Sequence, residues 1–323
     1  MSSTKLPTLL SLLVLVLVAT TTSAAPWHLR RTQEDDLKWF EGDIDERYDY
    51  LLPLAGPQEI VGGSPASSGE FPWFVSLEYE GQIYCGGTLI SANRVLSAAH
   101  CFLSSSGSIF LPTQIRVGHT TTSDGETVTP SCVSIHPDFG YDLKGVYSDL
   151  AVLSLSSPVT TVTSFVVLNS DTSHPSSGDL TAIGFGRTST DGPTSSSLLK
   201  TTEAFVSEST CKEAWECVSS TYHVCAVGAS NNGVCKGDSG GPLLDSAKVQ
   251  VGVASFVGSD GCGTSTPEVF ASVASFHTWI QGELTSGTCT SSHTLNTATP
   301  CSCVCLIQRA FIDATSFFGS YFD

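Results

Sequence analysis

The chain is poor in cations, in charge overall and in long apolar runs. Its 323 residues hold 14 Lys and Arg against 31 Asp and Glu, a formal net charge of −17, and only 14% of them are charged. Affinity for a phosphate backbone comes from clustered Lys and Arg, and no basic block occurs, so nucleic-acid binding is excluded as a main task. There is no Asn-x-Ser/Thr acceptor, no His-Glu-x-x-His zinc motif and no internal repeat, and Gly184-Phe-Gly186 lacks the rest of a dinucleotide fingerprint. The one apolar run, Leu9 to Ala19, follows Lys5 and leads into small residues ending at Ala24 and Ala25. It is about half the ~20 residues of a membrane-spanning helix, so we expect a signal peptide over residues 1–24, cleaved after Ala24. No later segment is apolar enough to span a bilayer. The mature protein is expected to be soluble, secreted and extracellular, and its 12 cysteines to form disulfides in an oxidising compartment.

What is present divides the rest of the chain into three parts. Residues 25–59 carry nine acidic residues against four basic ones and close on the turn-rich Leu54-Ala-Gly-Pro-Gln-Glu59. They read as an acidic prosegment, although composition alone also allows an extension that stays attached. From Ile60 to Leu284 short runs rich in Val, Ile, Thr and aromatics alternate with Gly, Pro, Ser and Asn. Trp73 to Glu78, Arg94 to Ala98, Gln114 to Val117, Leu150 to Leu155, Leu180 to Phe185 and Val249 to Phe256 are the clearest strands. This spacing predicts an all-β barrel or sandwich, with Phe276 to Leu284 as the only helix. Residues 285–323 begin as a Ser/Thr-rich linker and then present Cys301, Cys303 and Cys305.

Four segments carry chemistry when read together: Ile60-Val-Gly-Gly63, Leu96-Ser-Ala-Ala-His-Cys101, Ser148-Asp-Leu-Ala-Val-Leu153 and Cys235-Lys-Gly-Asp-Ser-Gly-Gly-Pro-Leu243. Taken singly, each has a plain reading as a core histidine, a strand cap or a turn. In this order within one β-rich segment, and with Phe71-Pro-Trp73, Cys85-Gly-Gly87 and Ile183-Gly-Phe-Gly186 beside them, they resemble the chymotrypsin-like (trypsin-fold) serine proteases. The resemblance covers residues 60–284. It implies two six-stranded antiparallel β-barrels with the active site between them and a short C-terminal helix, needing no cofactor and no metal.

The resemblance implies Ser239 as nucleophile, His100 as general base and acid, and Asp149 as the group that orients His100. Backbone N–H groups of Gly237 and Ser239 would form the oxyanion hole, where losing one donor costs about 3–4 kcal/mol of transition-state stabilisation. A freed α-amino group at Ile60 would pair with Asp238, which makes the uncleaved chain an inactive zymogen. Members of the family usually have Arg or Lys before the new N-terminus; this chain has Glu59. The activating protease is then a Glu-tolerant endopeptidase or an aminopeptidase that trims the prosegment stepwise.

For the specificity pocket the resemblance points to Gly233 and Val234 at the base, Ser255-Phe256-Val257 as a strand edge for an extended substrate, and Glu268. A glycine floor flanked by two valines is similar to neutrophil-elastase-type pockets, which implies cleavage after Ala or Val. Glu268 leaves two alternatives: buried beneath the valines it must be hydrogen-bonded or protonated, and reaching the pocket it would select Lys or Arg. Lys236 either tunes neighbouring substrate positions or is a solvated surface lysine. The implied disulfides are Cys85–Cys101, Cys211–Cys225 and Cys235–Cys262. Cys132, Cys217, Cys289, Cys301, Cys303 and Cys305 remain, six cysteines with 15 possible pairings; a bridge from Cys132 or Cys217 would tether the tail.

The expected partners are protein or peptide substrates, an activating protease and protein inhibitors. A non-catalytic homologue that binds a partner is the rival reading, since fold does not fix function. Asp124 and Glu126 in the loop 118–129 are weak candidates for calcium ligands.

Overall fold

In the computed structural model, residues 60–104, 108–142, 145–171, 178–229, 232–258, 260–286 and 289–290 are described. The expected signal peptide and prosegment, with Glu59, and Cys301, Cys303 and Cys305 lie outside the described residues.

Short β-branched runs bounded by turn residues become 17 strands among the described residues. After β1 (Ser64–Pro65) come β2 (Phe74–Tyr79), β3 (Gln82–Ser91), β4 (Arg94–Ser97), β5 (Gln114–Val117), β6 (Glu126–Val128) and β7 (Pro130–Ile135). A small hairpin, β8 (Gly140–Asp142) and β9 (Gly145–Tyr147), precedes β10 (Ala151–Leu155). The first sheet has the order β6-β5-β2-β3-β4-β10-β7. Its two ends are separated by Thr129 alone, so β6 and β7 act as one bent strand that joins β5 to β10 and closes a ring of six.

The second sheet uses β11 (Val167–Leu168), β12 (Asp179–Gly184), β13 (Leu199–Val206), β14 (His223–Gly228), β15 (Pro242–Leu244), β16 (Val249–Phe256) and β17 (Glu268–Ser272). Six of these run β13-β12-β15-β16-β17-β14, and a β13–β14 pairing closes the barrel. Closure leaves few unpaired edges, which an all-β chain must otherwise protect. Phe74, Leu77, Leu89, Leu96, Ile115 and Leu153 are buried in the first sheet, and Phe270 in the second. Each such side chain stabilises the fold by roughly 1.5–3 kcal/mol.

Two α-helices accompany the strands among the described residues. The C-terminal helix α2 (Val273–Thr285) starts three residues earlier than the apolar spacing suggested, because Ser272 caps it by accepting the Ser275 N–H. Arg94 donates to the carbonyls of Glu283 and Ser286 at its other end, satisfying groups that a helix terminus leaves open. Helix α1 (Glu208–Ala214) was not expected. It buries only Cys211, so it shows no apolar periodicity, and its signals were local: the Ser207 cap on Thr210 and Glu208 in the first turn.

Disulfides join Cys85 to Cys101, Cys211 to Cys225 and Cys235 to Cys262. A fourth joins Cys132 on β7 to Cys289 beyond α2. There Thr290 adds to the edge of β7, donating its N–H to Val133 O (2.9 Å) and accepting the Ile135 N–H (2.9 Å). No helix among the described residues is long and apolar enough to cross a membrane.

Candidate active site

The 3-10 turn Ala99–Phe102 follows β4 and holds His100 buried. Asp149 stands just before β10, the neighbour of β4, so adjacent strands of the first sheet deliver both residues to one place. Ser148, before Asp149, has a φ of 53°, a left-handed conformation that is uncommon for a residue with a side chain. Asp149 accepts the His100 N–H at 3.0 Å through Oδ1, and the His100 Nδ1–H at 2.8 Å through Oδ2. With Nδ1 donating, Nε2 is the nitrogen whose lone pair can take a proton. The second sheet adds Ser255, whose hydroxyl donates to Asp149 Oδ2 at 2.5 Å. The β16–β17 register slips between Ala254 and Phe256, and such a bulge re-aims the side chain it contains. Burial alone would raise Asp149; the His100 ring and the hydrogen bonds from His100 and Ser255 outweigh it and hold the carboxylate below its ordinary range.

Ser239 lies on the loop between the Cys235 disulfide and β15. The Gly86 N–H donates to Ser239 O at 2.7 Å, and the Gly240 N–H donates to Ala254 O at 2.9 Å. Gly240 packs against the first sheet so closely that a Cβ there would fall 2.2 Å from Ser97 Oγ and 2.5 Å from Gly86 O, and its φ is +77°. Only glycine fits. The loop is thereby pinned between Ala98, two residues before His100, and Ala254, one residue before Ser255.

Asp238, beside Ser239, is buried and accepts the N–H groups of Gly186 (2.7 Å) and Cys235 (2.9 Å). Burial nevertheless pushes its pKa up to about 7. Ile60 is fully buried, and Val61 O accepts the Gly233 N–H at 3.1 Å, so the segment after Glu59 is seated against the loop that carries Ser239. Gly237 is half-buried and Lys236 exposed on that loop.

Gly233 and Val234 are buried, as are Ser255 and Phe256, while Val257 is half-buried just past β16. Val234 and Val257 pack in one apolar cluster with Ala254 and Phe270. Trp215, which ends α1, meets Phe256 edge-on with centroids 5.1 Å apart and donates its indole N–H to Pro267 O at 2.6 Å. Glu268 is buried, and its Oε2 accepts the Val234 N–H at 3.1 Å. A Cβ at Gly233 would lie 2.0 Å from Glu268 Oε1, so the carboxyl fills the space into which a side chain at 233 would project. Burial and the neighbouring Glu203 raise the Glu268 carboxyl well above its usual range.

Glu203 and Trp215 are parts of the site that the motifs did not reveal. The one group of potential metal ligands among the described residues is Cys85, His100 and Cys101, and its two sulfurs are joined in a disulfide, so neither is a thiolate ligand. Asp124 accepts from Thr121, and Glu126 accepts from the backbone and hydroxyls of Thr160 and Thr161; both are engaged in fastening loops.

Comparison with known proteins agrees with this architecture. The Trypsin family profile matches residues 60–280. Trypsin alpha of Drosophila melanogaster is 36% identical over 242 residues, covering 71% of this chain and 89% of that protein. Serine protease SP24D of Anopheles gambiae is 35% identical over 234 residues, covering 71% and 82%. Among solved structures, human heparin binding protein aligns with a TM-score of 0.60 at 27% identity, covering 72% of this chain and all of that one. Profile, relatives and closed barrels converge on one conclusion: this chain belongs to the trypsin family of chymotrypsin-fold serine proteases, and it is a serine endopeptidase.

Proposed function

We propose that the protein is a secreted endopeptidase, made as a zymogen, that cleaves peptide bonds after small aliphatic residues. Ser239 attacks the scissile carbonyl, a step for which its hydroxyl needs a base because it is weakly nucleophilic at neutral pH. His100 Nε2 takes the proton and later returns it to the leaving amine, while Asp149 fixes the tautomer and stabilises the imidazolium. Ser255 keeps Asp149 hydrogen-bonded where no water reaches it. The N–H groups of Gly237 and Ser239 receive the negative charge of the tetrahedral intermediate. Water then releases the acyl group by the same route.

Cleavage after Glu59 would free the Ile60 ammonium beside the loop of Asp238. Before cleavage that buried carboxyl has no cation to face, and ionising it without one is unfavourable. The reading of the pocket is carried by one observation: Glu268 sits under Gly233 with its Oε2 bound to the Val234 N–H. The floor is therefore raised and flanked by Val234 and Val257, which suits Ala or Val and leaves little depth for a long cation. The heparin-binding relative supports no second reading, since heparin is a polyanion and this chain carries a net charge of −17.

The test is cleavage-site profiling by mass spectrometry on a mixed peptide library, with protein processed to begin at Ile60 and Ser239→Ala as control. Cuts after Ala and Val that vanish in the control are expected. Cuts after Lys or Arg would overturn the pocket assignment, and a digest identical to the control would overturn the catalytic one.

A further inference from the structure

Glu203 is a second buried carboxyl, directly behind the pocket floor. It lies on β13 opposite Gly228 of β14, and Glu268 lies on β17 opposite Ala226 of the same strand. Residues 226 and 228 are two apart, so their side chains share a face, and both glutamates project from neighbouring strands onto that face. Ala226, which faces Glu268, is small, while the space beside Gly228 is taken by the Asn232 backbone. Glu203 is fully buried, and neither of its oxygens meets a hydrogen-bond donor. What it faces is the Glu268 carboxyl. Two carboxylates offer each other only acceptors, and they become a hydrogen bond when one proton sits between them.

We propose that Glu203 is a positioning residue for substrate specificity: it shares a proton with Glu268 beneath Gly233, so that the pocket floor presents an uncharged carboxyl and disfavours cationic side chains. The inference deepens the assignment of the pocket and rests on it. The surroundings fit. Burial raises the Glu203 carboxyl to about 7 and Glu268 well above its usual range, and the nearest further charge is Asp238, also a carboxyl. Of the other charged groups on the packed elements, Lys236 in the Asp238 loop and Asp179 at the start of β12 are exposed, while Lys200 on β13 is paired with Glu70 at the protein surface. His223, at the far end of β14, is bonded to Val146 O and held neutral by burial, with its pKa lowered to about 4. None of these side-chain cations competes with the shared proton, and the α-ammonium that cleavage would free at Ile60 is assigned to Asp238.

Glu203→Gln removes one of the two acids and places an N–H donor against Glu268. The remaining carboxyl then ionises at lower pH, as a carboxylate that accepts a hydrogen bond and has lost a like-charged neighbour. The experiment compares protein beginning at Ile60 in wild-type, Glu203→Gln and Glu203→Gln/Glu268→Gln forms. Two peptides that differ only in Val or Lys before the scissile bond are hydrolysed from pH 5 to 9. In Glu203→Gln the Lys-to-Val ratio of kcat/KM is expected to rise at least tenfold at pH 7, with its pH midpoint moved downward. The double variant is expected to return to the wild-type ratio. A ratio and midpoint unchanged by Glu203→Gln would overturn the proposal, because a purely structural role would lower both peptides together. A second readout needs no turnover. Carbon-13 NMR of glutamate carboxyls in the Ser239→Ala protein should show two coupled titrations that collapse to one in Glu203→Gln, and two independent titrations in the ordinary carboxylate range would overturn the proposal. Failure of the wild-type protein to cut either peptide would count against the catalytic assignment alone, since the NMR result still decides the shared proton.

Discussion

Asp238 accepts two backbone N–H groups yet keeps a pKa of about 7, well above the ordinary 3.8 of an aspartate, because burial outweighs those hydrogen bonds. In the uncleaved chain the folded state therefore binds this proton more tightly than the unfolded state. The corresponding stability is complete below about pH 4 and is lost as pH rises through about 7, at up to ~1.4 kcal/mol per unit of pKa difference. Asp238→Asn removes the titration. Urea unfolding of the two uncleaved proteins between pH 4 and 8 should show the wild type losing a few kcal/mol relative to Asp238→Asn, mostly between pH 4 and 7. After processing at Ile60 the gap should flatten as the α-ammonium supplies a partner, and parallel pH curves for the uncleaved pair would remove Asp238 from this role. At this scale His100, Asp149 and Ser239 stood out in the sequence because each sits in a contiguous motif, and the structure brings His100 and Asp149 into hydrogen bonding. Glu203 did not stand out, because it is one acid on a strand with no motif around it. Its signal was phase: it is two and four residues from Thr201 and Leu199, both of which point inward.

Among the elements, the strands followed the β-branched runs to within a residue or so, since alternation with turn residues is a local property. Gln114–Val117 and Val249–Phe256 coincide with β5 and β16. The bridge from Cys132 to Cys289 uses one of the two anchors expected for the tail, among 15 pairings that the cysteine count left open, since connectivity is a property of the folded chain rather than of spacing. This disulfide closes a loop of 157 residues between β7 and the segment after α2. Restricting so long a loop in the unfolded chain is worth up to about 5 kcal/mol at 25 °C. The bridge starts from β7, and neither of its cysteines belongs to β16 or to the Ser239 loop. Cys132→Ser/Cys289→Ser is therefore expected to lower Tm by several degrees in a thermal scan while leaving kcat/KM on a P1-Val peptide within about twofold. A large loss of activity at a temperature where the variant remains folded would show that the tail attachment also shapes the site.

For the whole molecule, barrel closure was expected only through family resemblance, because no local pattern says which strands meet two neighbours and so close each ring. β14 meets both β13 and β17, and the bent strand β6–β7 meets both β5 and β10. The proposed activation is likewise a long-range matter. Ile60 and Val61 are buried, and Val61 bonds to Gly233, some 170 residues along the chain, so on this proposal one cleavage would act on the pocket floor and, through Asp238, on the Ser239 loop. The bond proposed to be cut follows Glu59, and a Lys/Arg-specific endopeptidase has no cation to recognise there. Treating the full-length protein with such a reagent should leave Ile60 blocked and the peptidase silent, even if Arg47 is cut. Glu59→Arg should reverse this, giving a new N-terminus at Ile60 by Edman sequencing and Ser239-dependent hydrolysis of the P1-Val peptide. A Glu-specific endopeptidase should produce the opposite pattern on the two proteins. Full activity of the unprocessed wild-type chain would mean that Asp238 holds the loop without its cation, and the zymogen assignment would fall.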